Sequence, residues 1–453
     1  MTAAAHDREG GVARGDAGLV RAIDVRRLTA SIINCTIGAG IFVLPAVAAA
    51  GLGAAAPIAY LVCAGLMALI VVCFASAGSR VSLTGGLYAY VEVAFGPFVG
   101  FLSGGLYALM ATFAVASVAT AFAGSFGVEW IGAAAGAGSA AVLLALFAVL
   151  AWINVRGVSL GARLVEAVTL AKLVPLLVFV AAGVWLVHGD FLAWPGLPKA
   201  ADVGRTAIIL IFAFVGVEVA LVPSGEVRAP ATTVPRALFT ALAITTTVYL
   251  LVQGVAQGLL GPSMSTYSAA PLAEAASRVL GRSGRVLVLA GATVSMFGYV
   301  SGGMLGSPRA LFALGRDGMF PAALARVHPR FHTPYVAIVT YAIIVAALAI
   351  SSSFTQLAVL ANVAALTLYL MCVAASYELQ RKNIQTGGTP FTAPGGPVVP
   401  MLAAAVIIWL LSQASAREFA IEGIVLGIAG VFYVIAVGRR PSRPQSSSSP
   451  SRP

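Results

Sequence analysis

Two glycines interrupt the first long apolar run of this chain, in the stretch TIGAGIF at residues 36–42. A matching Gly216 interrupts the sixth run, two residues before the charged Glu218. A membrane helix that stops and restarts inside the bilayer exposes N–H and C=O groups that lipid cannot satisfy and a polar solute can. Glycine pairs also serve close helix packing. The recurrence of the interruption five runs later favours a binding site.

The composition predicts an all-α protein that crosses the membrane many times. Of 453 residues, 60% are hydrophobic and 9% are charged, whereas a soluble domain has about 25% charged residues. Runs long enough to cross about 30 Å of hydrocarbon recur along the chain. We predict about twelve transmembrane helices, near residues 28–50, 56–78, 87–126 (one long tilted helix), 138–155, 163–187, 204–224, 235–261, 285–312, 335–352, 355–378, 397–414 and 419–437.

The basic residues predict the orientation. The net charge of +11 could indicate a nucleic-acid partner, but its distribution argues against one. With a cytoplasmic N-terminus, about twenty of the 27 Lys and Arg residues fall inside and six fall outside. This is the positive-inside bias of a protein with both termini in the cytoplasm, here in the cell (inner) membrane.

The two glycine interruptions divide the chain into two similar halves. Residues 24–190 form a first repeat of five helices and residues 191–380 a second, which an odd number of helices makes antiparallel. Two further helices follow in 381–440. The tails at 1–23 and 441–453 are poor in large apolar residues and are predicted to be disordered on the cytoplasmic side.

Two charged residues inside the predicted spans are the sharpest chemical signals. Lys172 lies about 13 Å from the nearer end of the fifth span, too deep for its side chain to reach the interface. It either exchanges a proton during a transport cycle or donates permanently to carbonyls of a broken helix. Glu218 must be neutral or paired, as a proton carrier or as a structural anchor.

The cysteines and histidines give no support to an enzyme or a metalloprotein. The four cysteines lie inside predicted spans without CxxC spacing, and the four histidines lie in tails or loops. No nucleophile and base pair occurs in a span. We expect no cofactor and no metal.

Five motifs in a fixed order resemble the amino acid-polyamine-organocation (APC) superfamily of permeases, over residues from about 24 to 440. They are IGAGIFVLP at 37–45, GGLYAY at 85–90 with FGPFVG at 95–100, FAFVGVE at 212–218, EVRAP at 226–230 and PRALFALGRDGMFP at 308–321. The chain departs from the family at Ala229, where Asn is common, and at Gly315, where Ala is common. The resemblance implies the LeuT-like fold, with a 5+5 inverted repeat and discontinuous helices 1 and 6.

The resemblance also implies a binding site for an amino acid. The substrate carboxylate would be bound by N–H groups at the first break, and the amine by carbonyls at both breaks. Phe212 would lie over the substrate as a gate, and Tyr107 would approach and hydrogen-bond Glu218. The implied substrate-binding residues are Thr36, Ile37, Ala39, Gly40, Ile41, Phe212, Ala213, Val215 and Tyr107, with Lys172 and Glu218 as coupling residues.

Sodium independence follows from the same resemblance, because members without sodium carry a lysine in the fifth span at the cation position. If Lys172 releases its proton in each transport cycle, the protein is a proton symporter. If Lys172 keeps its proton, the protein is an exchanger. The expected partners are an amino acid, protons and the lipid bilayer, without nucleic acid.

The substrate class is predicted from the small or apolar side chains near the breaks, namely Met110, Ala111, Thr112, Val115, Val215 and Val217. They favour a neutral amino acid. A cationic amino acid or a polyamine, bound by an ionised Glu218, is the alternative, and a non-transporting sensor of the same fold is a different class. In the transport cycle, spans 1, 2, 6 and 7 would rock against spans 3, 4, 8 and 9. A helix from Pro271 would be the outer lid, and Arg316 to Gly318 would belong to the inner gate.

Overall fold

The structure is a computed structural model that describes residues 23–81, 86–132, 136–156, 162–194, 196–221, 227–268, 270–316, 320–385, 390–392 and 395–438. The predicted disordered tails lie outside these ranges except for Ile23, and so do Asp317 and Gly318 of the predicted inner gate. Within the described ranges the chain is helical, and its β-structure is one isolated bridge between Ile23 and Val227.

The α-helices succeed one another with short connections, because apolar runs alternate with Gly, Pro and charged residues along the whole sequence. They are α1 (Val25–Thr36), α2 (Gly40–Leu52), α3 (Ala56–Arg80), α4 (Leu87–Phe95), α5 (Pro97–Ile131), α6 (Ala137–Val155), α7 (Ala162–Gly183), α8 (Ala200–Leu210), α9 (Pro230–Leu260), α10 (Pro271–Arg316), α11 (Tyr335–Ser351), α12 (Phe354–Arg381), α13 (Val398–Leu411) and α14 (Ala416–Gly438).

Seven helical stretches of the described chain are long and apolar enough to cross a membrane, and three shorter apolar helices accompany them. This confirms a polytopic membrane protein. The count differs from twelve partly because α2 and α3 run together through a short 3-10 turn, and because α1 and α8 are each too short to count alone. Twelve spans and the inverted repeat therefore stay predictions.

The prediction of one long helix over 87–126 is wrong. α4 ends at Phe95 and α5 begins at Pro97, with Gly96 between them at a φ of 94°. Only glycine adopts this backbone conformation without strain, and proline is favoured in the first turn of the helix that follows. A helix does begin at Pro271, as expected for the lid segment, and it kinks at Gly281.

The interior is built around the first helices and the ninth. α9 packs against α1 and α3, and α12 packs against α5. The largest buried side chains are aromatic and include Tyr60, Tyr249 and Tyr369. The last helix, α14, instead exposes a row of large apolar side chains, which suits contact with lipid.

Candidate functional site

The first break lies between α1 and α2. α1 ends at Thr36, and Ile37, Gly38 and Ala39 follow before α2 begins at Gly40. The Gly38 N–H donates back to the Thr36 carbonyl at 2.9 Å. The N–H groups of Ala39, Gly40 and Ile41 donate no hydrogen bond to any described residue, as is usual for the first residues of a helix. The break therefore presents three adjacent buried donors.

The second break follows α8. A 3-10 turn at Ile211–Ala213 tightens the chain after Leu210, and Phe214 and Val215 both donate to the Ile211 carbonyl. Gly216 then turns the chain with a φ of 121° before a second 3-10 turn at Val217–Leu221. The interruption predicted from Gly216 is thus present.

The two breaks touch each other through their glycines. A Cβ at Gly216 would lie 2.6 Å from the Cys35 carbonyl oxygen, and a Cβ at Gly40 would lie 3.1 Å from the Ala213 Cα. Real Cβ atoms do not approach backbone so closely without a shift. Glycine at both positions lets the two unwound segments lie against each other.

Tyr249 of α9 ties the breaks together. Its hydroxyl lies 2.6 Å from the Ala213 carbonyl oxygen and 3.1 Å from the Thr36 carbonyl oxygen. These are two of the carbonyls expected to hold a substrate amine. The Ala213 carbonyl oxygen has two lone pairs and keeps acceptor capacity beside the tyrosine, whereas the Thr36 carbonyl oxygen also accepts from the Gly38 N–H.

Lys172 lies at the end of α1. Its ammonium donates to the Asn34 carbonyl at 2.5 Å, two residues before the break. The side chain is 4% exposed and forms no ion pair within the described ranges. A single buried cation thus stands beside the unwound backbone, as the sequence predicts.

Glu218 is held by two donors. The Gly216 N–H lies 3.0 Å from both carboxyl oxygens, and the Tyr369 hydroxyl of α12 lies 2.5 Å from one of them. The expected hydrogen bond from Tyr107 is not formed, and this prediction is wrong for the structure. Tyr107 packs partly buried against the core instead.

Phe212 does not lie free over the breaks. Its ring packs edge-on against Phe354, the first residue of α12, with ring centres 5.7 Å apart. The side chain is 7% exposed. Closure of an aromatic lid at this position would therefore involve Phe354 together with Phe212.

A sequence profile described as amino acid permease matches residues 23–437, nearly the whole of the described chain. The chain belongs to the amino acid permease family. This places it in the APC superfamily that the motifs indicate, and it makes the protein a transporter and not an enzyme.

Three relatives of this permease come from Bacillus subtilis (strain 168). The methylthioribose transporter is 28% identical over 414 residues, covering 87% of this chain and 88% of the relative. The serine/threonine exchanger SteT is 27% identical over 427 residues, covering 92% and 96%. The branched-chain amino acid permease BcaP is 26% identical over 419 residues, covering 88% and 89%.

Sequence reasoning about this permease missed three contacts of the site, at Asn34, Tyr249 and Tyr369. Asn34 contributes a backbone carbonyl, which no side-chain pattern can reveal. Tyr369 meets Glu218 across 151 residues of sequence. Tyr249 does carry a signal, because it belongs to a row of polar residues spaced by four along α9, unusual in an otherwise apolar span.

Proposed function

We propose that this permease is a sodium-independent, proton-coupled symporter of neutral amino acids. It lies in the inner membrane with both termini in the cytoplasm and works by alternating access, with spans 1, 2, 6 and 7 moving against spans 3, 4, 8 and 9. The substrate is bound at the two breaks, and Lys172 and Glu218 are the coupling residues.

The carboxylate part of the proposal is supported by the first break. The N–H groups of Ala39, Gly40 and Ile41 are neighbours at the start of α2 and have no acceptor among the described residues. The positive end of the helix dipole adds to the attraction for an anion. An α-carboxylate matches this arrangement in size and charge.

The amine part is supported by the carbonyls that flank the site. The helical ladder is broken at Thr36, Ile37, Phe212, Ala213 and Val215, which leaves acceptor capacity on their carbonyls except that of Thr36, already bonded to the Gly38 N–H. The single hydroxyl proton of Tyr249 is directed to the Ala213 carbonyl at 2.6 Å and shared with the Thr36 carbonyl at 3.1 Å, which fixes the direction of both. An ammonium would complete their hydrogen bonds.

The observation that carries the coupling proposal is Lys172. Its buried ammonium touches the Asn34 carbonyl beside the break, where the resemblance places a cation in sodium-coupled members. A fixed positive charge repels a second cation at the same place. Loss of its proton would remove the charge and leave a neutral amine, a weaker donor to the Asn34 carbonyl, so that the proton and the shape of the break are linked.

Neutral substrates are supported by the side chains around the breaks and by the relatives. Met110, Val115, Val215 and Val217 are buried and apolar. Two relatives act on serine, threonine or branched-chain amino acids, which are neutral. A third transports methylthioribose, which has neither carboxylate nor amine and therefore belongs among the compounds to be tested.

The test is uptake into proteoliposomes. A panel of labelled neutral and cationic amino acids, a polyamine and methylthioribose is offered with an inward proton gradient and no sodium. Uptake of neutral amino acids into empty vesicles is the expected result. Uptake that requires internal amino acid would make the protein an exchanger, sodium dependence would overturn the role of Lys172, and no uptake of any compound would favour a sensor.

The replacement Lys172→Ala is predicted to abolish sodium-free uptake, because the charged donor to the Asn34 carbonyl beside the break is lost. The matched control is Lys199→Ala, which removes an exposed lysine before α8. Its uptake should equal that of the unmodified protein. Unchanged uptake by Lys172→Ala, with both proteins reconstituted at equal density, would contradict the coupling role.

A further inference from the structure

One face of α9 carries a row of buried polar side chains. Thr245, Tyr249, Gln253 and Gln257 follow one another at intervals of four residues and are each at most 2% exposed. Residues four apart lie on the same face of a helix, so the row is continuous and about 18 Å long at 1.5 Å per residue. We call it the α9 polar row.

Three side-chain oxygens of the α9 polar row lack protein partners, although Tyr249 and the amide groups of Gln253 and Gln257 do have them. The Thr245 hydroxyl and the side-chain carbonyl oxygens of Gln253 and Gln257 are buried and accept or donate no hydrogen bond within the described ranges. The Tyr60 hydroxyl of α3, whose ring lies 6.1 Å from that of Tyr249, is in the same state. Four such groups in one place are unusual, since buried polar groups nearly always find a partner.

The spacing of the row fits water. Neighbouring residues of the row are separated by about 6 Å along the helix axis, which is four residues at 1.5 Å. Two hydrogen bonds of about 2.8 Å through one water oxygen, at its roughly tetrahedral angle, span about 4.6 Å, so one or two water molecules would bridge neighbouring members of the row. Buried water characteristically makes two to four bonds to polar groups that the protein leaves unpaired.

Gln257 and Tyr249, two members of the row, lie in different surroundings. Gln257 donates to the Gly261 carbonyl at 3.1 Å, and the 3-10 segment that follows exposes Pro262 and Ser263 at the surface. Tyr249, two steps along the row, contacts the Thr36 and Ala213 carbonyls of both breaks, and Thr245 lies one step beyond it. The part of the row from Gln257 to Tyr249 therefore leads from beside the surface-exposed 3-10 segment to the unwound backbone.

We propose that the α9 polar row holds a file of water molecules that hydrates the two helix breaks from the Leu260 end of α9. Water in the file supplies hydrogen bonds to the break carbonyls when no substrate amine is bound. The inference rests on the row alone and holds whatever the permease carries.

Hydroxyl-radical footprinting tests the file directly, because radiolysis of ordered water modifies the side chains beside it. The full chain is irradiated in lipid nanodiscs and analysed by mass spectrometry. Tyr60 and Met264 are the reporters, since both are fully buried and the Met264 sulfur lies 4.0 Å from the Gln253 amide nitrogen. Met304, equally buried on α10, is the dry control, and the exposed Met401 is the wet control.

We expect Tyr60 and Met264 to be modified well above Met304. Modification of both at the level of Met304 would overturn the proposal. Gln253→Leu should then abolish the modification of Met264 and leave that of Met401 unchanged. If Met264 is still modified in this variant, the water lies elsewhere and the proposal that the α9 polar row holds it is overturned.

Thermal unfolding gives a second and independent readout. In a dry row, Gln253→Leu and Gln257→Leu would remove a buried oxygen without a partner, which outweighs the lost amide contacts to Met264 and the Gly261 carbonyl, and the melting temperature would rise. In a wet row the same variants lose hydrogen bonds to water, and the melting temperature should stay level or fall. A clear rise in both variants would contradict the water file. If a variant fails to fold, the footprint of the unmodified protein still decides.

Discussion

At the scale of single residues, the acid of the sixth span is defined by what donates to it. Glu218 is 1% exposed and accepts from the Gly216 N–H and from Tyr369. The motif in 212–218 marks the acid, but it holds no information on which tyrosine is near. Tyr107 and Tyr369 lie on different helices, and only the packing of α12 decides between them.

Tyr369→Phe is predicted to destabilise the protein more than Tyr107→Phe. The first variant removes the hydroxyl donor from a buried carboxyl oxygen and leaves it only the shared Gly216 N–H, at a cost of about 1–3 kcal/mol. The second removes a hydroxyl that makes no hydrogen bond to Glu218. Thermal unfolding of both variants in the same detergent compares them, with a lower melting temperature expected for Tyr369→Phe alone. An equal fall in melting temperature for Tyr107→Phe would contradict this prediction and favour Tyr107 as a partner of Glu218, as the resemblance implies.

At the scale of elements, the breaks were predictable because glycine acts through the local backbone. The stretch at 36–42 and Gly216 both interrupt the helix where the sequence indicates. The same local logic was available at Gly96 and Pro97, yet the apolar run across them predicted one helix and hid the turn. Hydrophobicity reports burial in lipid and says little about where a helix bends.

Contacts between elements were the part that sequence could not provide. Tyr249 meets residues 36 and 213, and Lys172 meets Asn34, all at long range along the chain. Such pairs depend on how α7 and α9 are placed against α1, which no pattern within one span encodes. The backbone donors of Ala39, Gly40 and Ile41 could be predicted from the sequence because they belong to one local segment of the chain.

Gly216→Ala is predicted to be strongly destabilising. A non-glycine residue at a φ of 121° is strained, at a cost of about 1–3 kcal/mol, and the new Cβ would also meet the Cys35 carbonyl oxygen at 2.6 Å. The control is Gly65→Ala in α3, where nothing lies within 4 Å of the new atom. The melting temperature of Gly65→Ala should equal that of the unmodified protein or lie slightly above it.

We would measure the unfolding curves and the uptake of Gly216→Ala and Gly65→Ala side by side. The comparison separates backbone strain at Gly216 from a general sensitivity of the protein to alanine in place of glycine. A normal melting temperature for Gly216→Ala would show that the two breaks can separate without cost. The close contact of Gly216 with Cys35 would then be unimportant for stability.

At the scale of the whole molecule, the orientation rests on the asymmetry of basic residues. The main exception is a group of three arginines on the predicted outer side, at 278, 282 and 285. Glu274 pairs with two of them, at 3.6 Å from Arg278 and 3.0 Å from Arg285. The positive-inside bias counts Lys and Arg and gives acids little weight, so this group remains an exception, outweighed by about twenty basic residues on the predicted inner side.

We therefore predict that Ser263 faces the outside and Gln385 faces the cytoplasm. Both are exposed, and Gln385 follows the basic pair Arg381 and Lys382, which should be retained inside. Ser263→Cys and Gln385→Cys are made in a background without the four native cysteines and treated with a membrane-impermeant maleimide in right-side-out vesicles. Ser263→Cys should react at once and Gln385→Cys only after permeabilisation. The reverse order would place both termini outside and invert the direction assigned to the water file and to the proton gradient.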